Sequence, residues 1–303
     1  MSNKELVLKI LDEQGIDMRV VIQEMFMGYK QRKQRRQLYS EDNKVPTTLI
    51  RMYFSMNPDI VEFEGMKKAF VSRYIKSESK LEGVHSPEEI DGLRVMYEYI
   101  HSDDIDYMFD VFTLKELHEK LYSKTPFPEF GGNFRRSPAR IKNFPSDLVP
   151  WTSIYSELKW LDEDVKFLKE VAPLVRESGD SGLALDYLDR CVILGCDLIK
   201  VHPFSDGNGR TIRGFVNKLL EDGGFPPVYI KLEEKEEYHD AMGKAIGDGD
   251  YSEIKNFYRY KICDSIIELD INERLRRESY VAPMVDGIRV KQKKDDLRPK
   301  RED

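Results

Sequence analysis

One stretch of twelve residues, His202–Arg213, constrains the fold and the chemistry of this chain more than any other. It follows an apolar run over 183–201, whose spacing predicts a buried helix, and Pro203 forces that helix to end at His202. A second helix is predicted over 210–220. The stretch therefore predicts two helices joined by a short loop, with an imidazole at the exit from the first helix.

The residues of the predicted loop are those of a phosphate site. Gly207 and Gly209 have no Cβ and can adopt positive φ, so their backbone N–H groups can turn toward one bound anion. The next helix presents its N-terminus there, which favours phosphate. Arg210 and Arg213 are one turn apart on that helix, and Asp206 supplies an oxygen ligand suited to Mg²⁺. The pattern predicts a phosphate and magnesium site beside a histidine base.

Other motifs with similar residues fit this stretch poorly. An ordinary interhelical loop would not require two glycines, two arginines and two further polar side chains at this spacing. A calcium-binding EF-hand loop would place Phe204 and Phe215 at its first and twelfth positions, where it needs oxygen ligands. The chain also lacks the Walker, Rossmann and H-E-x-x-H patterns. The usual nucleotide and zinc sites are therefore excluded.

The stretch resembles the signature of the Fic-domain family, H-x-F-x-[D/E]-G-N-G-R-x-x-R. Every specified position is matched, by His202, Phe204, Asp206, Gly207, Asn208, Gly209, Arg210 and Arg213. This resemblance implies an all-α fold, a helical bundle with a short β-hairpin flap. It also implies, for most members, transfer of AMP from ATP to a protein hydroxyl group with release of pyrophosphate.

The resemblance also implies roles for individual residues. His202 would be the catalytic base, and Asp206 would hold Mg²⁺ or Mn²⁺. Asn208 would contact an α-phosphate oxygen. Tyr238 is a candidate wall of the adenine pocket, and packing in the core explains it equally well. The nucleotide-binding set is then Gly207, Asn208, Gly209, Arg210, Arg213 and Tyr238.

A helix predicted over 65–82 ends in a second segment that resembles the family. Many Fic proteins carry an inhibitory helix with the pattern [S/T]-x-x-x-E-[G/N], in which the glutamate pairs with the second arginine of the signature. Here Glu82 would pair with Arg213 and block the place of the ATP γ-phosphate. The chain departs from the pattern because Glu78 stands where Ser or Thr is usual. The alternative is a surface glutamate at a helix end.

The chain divides into three predicted regions. Residues 1–105 form an N-terminal helical extension that includes the inhibitory-helix-like segment 65–83. Residues 106–277 form the Fic core, and the resemblance places the hairpin flap near 137–150, where a plain surface loop is the alternative. The charged tail 278–303 is predicted to be disordered.

Local patterns predict the other helices of the core. Ser86 with Glu89, and Thr113 with Glu116, have the spacing of capping boxes, in which side chains bond the first N–H groups of a helix. His118 is interpreted as a packed helix residue and not as a metal ligand. Apolar spacing and turn residues indicate helices over 88–99, 113–123, 151–173, 238–246 and 251–277.

Composition narrows the class of function. The chain has 303 residues, 40% of them hydrophobic, which is enough for a sizeable core. Its net charge of −7 does not favour nucleic acid, and the basic run 30–36 is interpreted as a solvated helix face or a contact to an acidic surface. No run of 18 apolar residues offers a membrane span, and the first residues lack the apolar segment of a signal peptide. We therefore expect a cytoplasmic protein that does not contact a membrane.

Three functions are open at this point. The favoured one is a protein adenylyltransferase that transfers AMP from ATP to Ser, Thr or Tyr on an extended segment of a target protein, and to itself. The alternatives are removal of AMP from a modified protein, with Glu82 positioning water, and a catalytically silent module that binds a partner. The sequence does not fix the donor, since other family members use UTP or a choline nucleotide, and it leaves homodimerisation open.

Overall fold

The fold is that of a computed structural model, which describes residues 64–102, 109–141, 148–178 and 180–268 together with positions 50 and 105. Most of the predicted N-terminal extension, the basic run and the charged tail lie outside these residues. None of the described helices is long and apolar enough to cross a membrane.

Within the described residues the chain forms eight α-helices and no β-strand. The α-helices are α1 (Glu64–Glu82), α2 (Pro87–Ile100), α3 (Thr113–Tyr122), α4 (Ile154–Ser178), α5 (Ser181–Val201), α6 (Asn208–Asp222), α7 (Lys235–Asp248) and α8 (Ser252–Glu268). The short 3₁₀ helices are Pro128–Phe130, Trp151–Ser153 and Leu232–Glu234. The predicted all-α class is therefore confirmed.

Helix α6 lies at the centre of the bundle. Twelve of its fifteen residues are buried, as expected of a helix that is covered on nearly every side. Helices α2, α3, α4 and α5 all pack against it. One anchor is Phe215, which stacks on Phe109 with 4.6 Å between ring centroids. The N-terminus of α6 is thereby fixed relative to the end of α5, which carries His202.

Helix α5 brings His202 to that centre. Its first N–H groups are capped by Asp180, whose Oδ1 accepts from the backbone N–H groups of Gly182 at 2.8 Å and Leu183 at 3.2 Å. Apolar positions that predict this helix are buried between α4, α6 and α8; they include Leu188, Val192 and Leu198. Burial therefore holds the helix, and with it the position of the histidine.

Helix α4 is longer than the sequence predicts. The pattern predicts its end at Pro173, yet the helix continues to Ser178. A proline in a helix removes one N–H donor and usually kinks or breaks the helix. Here Ala172 and Val175 are both buried, so packing on each side of the proline keeps the segment helical.

Of the two predicted capping boxes, the one at α2 has the hydrogen bond expected of its serine. Ser86 Oγ accepts from the backbone N–H of Glu89 at 3.1 Å, which confirms the cap of α2. The prediction at Thr113 is wrong, because its Oγ1 accepts from the backbone N–H of Asp110 and does not cap α3. Asp110 takes the capping role instead, since its Oδ1 accepts from the N–H groups of Phe112 at 2.7 Å and Thr113 at 3.1 Å.

The predicted β-hairpin over 137–150 is described only at its two ends. Residues 137–141 and 148–150 contain no strand, and residues 142–147 lie outside the description. The backbone N–H of Val149 donates to the carbonyl of Lys200 at 3.2 Å, close to the end of α5. The hairpin stays a prediction, but the segment returns to the neighbourhood of the candidate site.

Candidate active site

His202 has an unusual backbone conformation at the end of α5. Its φ of 48° and ψ of 61° are left-handed, and no other described residue except glycine has a positive φ. Its N–H donates to the carbonyl of Leu198 at 3.0 Å and closes the last turn of the helix. Nδ1 of the ring is buried and makes no hydrogen bond of good geometry. The ring nitrogen that can reach a substrate is therefore Nε2.

Burial lowers the pKa of His202 to about 4. The carbonyl of Ile199 opposes this shift, the charge of Arg135 adds to it, and Asp206 and Glu82 oppose it weakly. The ring is partly buried, and the loss of water around it disfavours its charged form. The imidazole is still neutral at cellular pH, which is the form that a general base requires.

The loop after His202 is held together by Phe204 and Asn208. Phe204 has no exposed surface and stacks on His118 with 3.8 Å between ring centroids. Oδ1 of Asn208 accepts from the N–H of Phe204 at 2.9 Å, and Nδ2 donates to its carbonyl at 2.8 Å. The side chain of Asn208 thus orders the loop. The contact of Asn208 with an α-phosphate oxygen stays a prediction. The second hydrogen of its side-chain amide could make that contact.

Two glycines shape the N-terminus of α6 in different ways. Gly207 has a φ of 71°, and a Cβ there would lie 3.1 Å from the side chains of Leu121 and Tyr122. Gly209 does not share the positive φ that its sequence position permits, because it already lies within α6. A Cβ on Gly209 would lie 2.6 Å from Oε1 of Glu82. The turn requires the first glycine, and the close approach of a carboxylate requires the second.

Asp206 projects from the loop with an exposed carboxylate. Its Oδ2 accepts from the hydroxyl of Tyr122 at 2.9 Å and lies 3.5 Å from Nη2 of Arg210. Its carbonyl accepts from Nε2 of His118 at 2.9 Å, so His118 is a packed helix residue, as predicted. Partial desolvation raises the pKa of Asp206, but the N–H of Gly207 and the hydroxyl of Tyr122 outweigh it and hold that pKa below its ordinary value.

The loop offers the carboxylate of Asp206 to a divalent cation. In the part of the chain that the structure describes, no group of three or more His, Cys, Asp or Glu side chains could hold a metal ion. Mg²⁺ is usually held by one or two carboxylates together with substrate phosphates and water. Asp206 beside the N-terminus of α6 therefore fits a cation that binds together with a nucleotide.

Arg213 is held by two carboxylates of α1. Glu78 is fully buried and accepts from Nε of Arg213 at 2.9 Å and from Nη2 at 2.6 Å. Nη2 also donates to Oε1 of Glu82, so the contact expected between Glu82 and Arg213 is present. Glu78 adds a second carboxylate where the family pattern has a hydroxyl. The flanking Ser77 and Ser79 donate to main-chain carbonyls and take no part in this contact.

The two carboxylates have different electrostatic surroundings. Burial raises the pKa of Glu78, and the charge of Arg213 opposes that rise. Burial acts on Glu82 as well, but the charge and hydrogen bond of Arg213 outweigh it and hold the pKa of Glu82 below its ordinary value. When both are ionised, two carboxylates and one guanidinium leave one net negative charge. That charge would repel a phosphate group from Arg213.

Arg210 lies on the same side of α6 but is held less tightly. It is 4% exposed, so its guanidinium cannot swing freely into solvent. Nη1 lies 3.5 Å from Oε2 of Glu89, and Nη2 lies 3.5 Å from Oδ2 of Asp206. Both distances are long for hydrogen bonds, so phosphate oxygens at shorter distance can replace these contacts.

Tyr238 belongs to the core and not to an open pocket wall. Its ring is 3% exposed and lies 5.7 Å from the ring of Phe257, measured between centroids. The guanidinium carbon of Arg213 lies 6.0 Å from the centroid of the Tyr238 ring. Packing in the core, the alternative that the sequence left open, is therefore what the structure shows for this ring. A place for Tyr238 beside the adenine base stays a prediction.

Three side chains outside the predicted set of site residues also contact the site, and they are Glu78, Tyr122 and Arg135. Glu78 lies four residues before Glu82, so both carboxylates share one face of α1, and this spacing was a usable signal. Tyr122 and Arg135 lie outside any motif. Their contacts with the loop depend on how α3 and the segment after it pack against α5, which no local pattern shows.

Known proteins with similar sequences indicate one family. Residues 108–220 match the model of the Fic/DOC family. The protein adenylyltransferase fic-1 of Caenorhabditis briggsae is 38% identical over 95 residues, which cover 31% of this chain and 18% of that protein. The protein adenylyltransferase Fic of Culex quinquefasciatus is 28% identical over 209 residues, which cover 66% of this chain and 37% of that protein. The chain thus spans well under half the length of these curated relatives.

The fold is similar to that of solved Fic proteins. A structure of Fic-1 from C. elegans has a TM-score of 0.56 to this chain at 20% identity, and the match covers 81% of this chain and 76% of that one. At this level of identity the likeness shows the fold alone. The signature residues, the helical bundle and the family model agree, and residues 108–220 of this chain therefore form a Fic domain of the Fic/DOC family.

Proposed function

We propose that this Fic domain transfers AMP from ATP to the hydroxyl group of Ser, Thr or Tyr on a target protein. The observation that carries the proposal is an anion position at the N-terminus of α6, beside a neutral His202. Oε1 of Glu82 occupies it, 2.6 Å from where a Cβ of Gly209 would be. A helix N-terminus that accepts a carboxylate suits a nucleotide phosphate as well. The curated relatives named protein adenylyltransferase support the same chemistry.

His202 would supply the base for this reaction. Its Nε2 would take the proton of the target hydroxyl while the hydroxyl oxygen forms a bond to the α-phosphorus of ATP. The bond between the α-phosphorus and the oxygen that bridges to the β-phosphate would break, and pyrophosphate would leave. AMP would then remain on the target as a phosphodiester. The proton-accepting residue and the phosphate site lie on one loop, which fits such an in-line displacement.

The first turn of α6 and its arginines would hold the phosphates. Gly207 has no side chain to cap α6, so the first N–H groups of the helix would be able to bond an anion. Arg210 would contact the β-phosphate, and Arg213 would contact the γ-phosphate once its carboxylate partners release it. These groups stabilise the charge that develops on the leaving pyrophosphate.

Asp206 would hold Mg²⁺ or Mn²⁺ together with phosphate oxygens of the nucleotide. Its carboxylate is a hard oxygen ligand of the kind that these ions prefer, and its lowered pKa keeps it ionised. The hydroxyl of Tyr122, at 2.9 Å, would keep that carboxylate oriented. When bound, the ion supplies positive charge that neutralises part of the phosphate charge.

The target would bind as an extended segment along residues 137–150. Main-chain hydrogen bonds position many sequences while fixing few side chains, which suits an enzyme that reads a hydroxyl in varied surroundings. The return of this segment to Lys200, through the N–H of Val149, supports its place beside the base. A segment of another copy of the domain would bind in the same way, so self-modification is part of the proposal.

We also infer that α1 restrains the domain. Glu78 and Glu82 together occupy Nε and Nη2 of Arg213, the edge that would otherwise bind the γ-phosphate. The γ-phosphate would reach Arg213 only after Glu82 leaves Nη2. The side chain of Glu82 is 34% exposed and that of Glu78 is 0% exposed, so Glu82 is the one that can leave without disturbing the core.

The paired state of Glu82 argues against removal of AMP as the main activity. That reaction would need Glu82 to hold and activate a water molecule beside the modified hydroxyl. Its carboxylate is instead paired with Arg213, and its lowered pKa makes it a weak proton acceptor. We therefore favour transfer of AMP over its removal.

Peptide mapping by mass spectrometry tests the proposed chemistry. The Glu82→Gly variant, incubated with Mg²⁺, ATP and a cell lysate, should leave AMP on Ser, Thr or Tyr of the domain or of a target protein. The same variant with His202→Ala should leave none. Modification by UTP or a choline nucleotide alone would overturn the choice of donor. Release of AMP from a modified target without any transfer would support the removal enzyme instead.

A further inference from the structure

Arg135 is a buried cation that no part of the reaction described above uses. It is 3% exposed, and its side-chain donors reach main-chain carbonyls on two parts of the chain. Nε donates to the carbonyl of His202 at 2.7 Å, and Nη2 donates to that of Val201 at 3.3 Å. Nη1 donates to the carbonyl of Ser137 at 2.9 Å, and Nη2 also donates to that of Val149. One guanidinium therefore joins the end of α5 to both ends of the segment 137–149.

The partners of Arg135 are carbonyls and not carboxylates. Among the ion pairs of the described residues, none includes Arg135. The carbonyl groups at a helix C-terminus carry partial negative charge, so a cation is favoured there without a carboxylate. The fork of an arginine, with five donors in one plane, suits several acceptors at once. This placement indicates a residue that organises the main chain.

Arg135 acts on both peptide groups that flank the Cα of His202. The carbonyl of Val201 belongs to the peptide before His202, and the carbonyl of His202 belongs to the peptide after it. The orientation of these two peptides sets φ and ψ, and therefore the direction in which the imidazole leaves the backbone. His202 is left-handed, a conformation that is unfavourable for a residue with a Cβ and that needs support from its surroundings.

Arg135 also fixes the position of both ends of the predicted target-binding segment relative to His202. Ser137 and Val149 bond the same guanidinium that holds the His202 carbonyl. The backbone N–H of Arg135 adds a bond to the carbonyl of Pro203 at 2.9 Å. A shift of the segment relative to the histidine would break bonds at one side or the other.

We propose that Arg135 is a positioning residue for the transfer step, which holds the His202 main chain and both ends of the segment 137–149 in one fixed arrangement. A target hydroxyl held beside Ser137 and Val149 is then aligned with Nε2 of His202. This inference rests on the proposed function, because it assigns the residue that aligns its two reactants. The nucleotide itself binds at the first turn of α6, which Arg135 does not touch.

Two substitutions of Arg135 test this in the Glu82→Gly background, with Arg136→Met as the matched control. Arg136 is the exposed neighbour and carries the same charge. Arg135→Met should leave the affinity for ATP within about twofold of that of the parent. It should lower the rate constant of AMP transfer about 100-fold, because a small misplacement of the reactants has an effect of that size. Arg135→Lys keeps the charge but not the fork, so it should recover only part of that rate.

Hydrogen exchange, followed by mass spectrometry on the same proteins, supplies a readout that does not depend on transfer. Arg135→Met should speed exchange in 148–150 and 199–204 while α6 keeps its protection. If the parent and the Arg136 control transfer no AMP, the proposed function fails and exchange alone decides the role of Arg135. The proposal is overturned if Arg135→Met transfers AMP at the parent rate, if its exchange is unchanged, or if α6 loses protection together with ATP affinity.

Discussion

The low pKa of His202 determines the pH range in which it can act as a base. Burial lowers that pKa to about 4, so the ring stays neutral as pH falls through the ordinary histidine range near 6.5. The neutral form of His202 is lost only when the pH falls through the pKa that this residue has in the folded state.

The rate of AMP transfer by the Glu82→Gly variant should therefore be flat from about pH 8 to about pH 5.5 and decline only below that. Initial rates at constant ionic strength, with the same ATP and Mg²⁺ concentrations, measure this profile. A half-maximal rate near pH 6.5 would show that His202 titrates like an exposed histidine, and would contradict the burial argument.

Gly207 has a backbone conformation that favours glycine at this turn. Its φ is 71°, and an added Cβ would lie 3.1 Å from Leu121 and Tyr122. We expect Gly207→Ala to lower the free energy of unfolding by about 1–3 kcal/mol, from left-handed strain and crowding together. Urea denaturation measures this change in the free energy of unfolding, and Gly243→Ala in α7 is the control variant. Nothing lies within 4 Å of a Cβ on Gly243, so that change should be neutral or stabilising, and equal losses in the two variants would refute the argument.

Helix α1 is fastened to the bundle at points away from Arg213. Ser77 Oγ donates to the carbonyl of Ile230 at 2.6 Å, and Nζ of Lys235 donates to the carbonyl of Leu81. Release of Glu82 therefore needs a rotation of its side chain and not detachment of the helix. The restraint that we propose would therefore act locally, at the contact between Glu82 and Arg213.

Removal of each carboxylate should raise the affinity for ATP in steps. We expect Glu82→Gln to tighten binding of ATP with Mg²⁺, and Glu78→Gln in addition to tighten it further, with a total gain of about 5- to 150-fold. The reason is that each neutral amide takes away a negative charge that competes with the γ-phosphate for Arg213. Calorimetric titration measures both steps.

ADP is the matched ligand control for that series, because it has no γ-phosphate. Its affinity should change much less than that of ATP across the same variants. Equal gains for ADP and ATP would show that the carboxylates act on the whole nucleotide, and that Arg213 is not the γ-phosphate partner.

The helices around the site could be predicted from sequence, but the contacts that complete the site could not. Apolar spacing indicates α5 and α6 because these helices are buried along most of their length, and Gly207 is indicated because only a glycine suits the turn. The pairing of Glu78 with Arg213 joins residues 135 positions apart, and that distance in sequence hides it. The bonds of Arg135 depend in the same way on tertiary packing, and so does the burial of the Tyr238 ring.

At the scale of the whole molecule, two neutral histidines with lowered pKa values should make the domain sensitive to acid. Burial lowers the pKa of His118 and of His202 to about 4, whereas the unfolded chain binds these protons near pH 6.5. The unfolded state therefore binds more protons between these values, and stability is lost as pH falls from about 6.5 to about 4. The slope is at most about 1.4 kcal/mol per pH unit for each histidine.

Denaturant unfolding between about pH 7.5 and pH 4.5 tests this, with His118→Gln as the second protein. Glutamine keeps a donor and an acceptor for the contacts of His118 with Asp206 and Gly132 but does not titrate. The variant should lose less stability on acidification than the wild type. Identical pH dependence in both proteins would mean that His118 has no role in acid sensitivity.

The central claim is that His202 transfers the α-phosphate part of ATP to a hydroxyl and that α1 restrains this step. It is tested most directly with ATP labelled either at the α- or at the γ-phosphate, incubated with Mg²⁺ and the wild type, Glu82→Gly, and Glu82→Gly with His202→Ala. We predict label on protein from the α-position only, much more of it with Glu82→Gly than with the wild type, and none when His202 is replaced. Label from the γ-position, or α-label that persists without His202, would contradict the account.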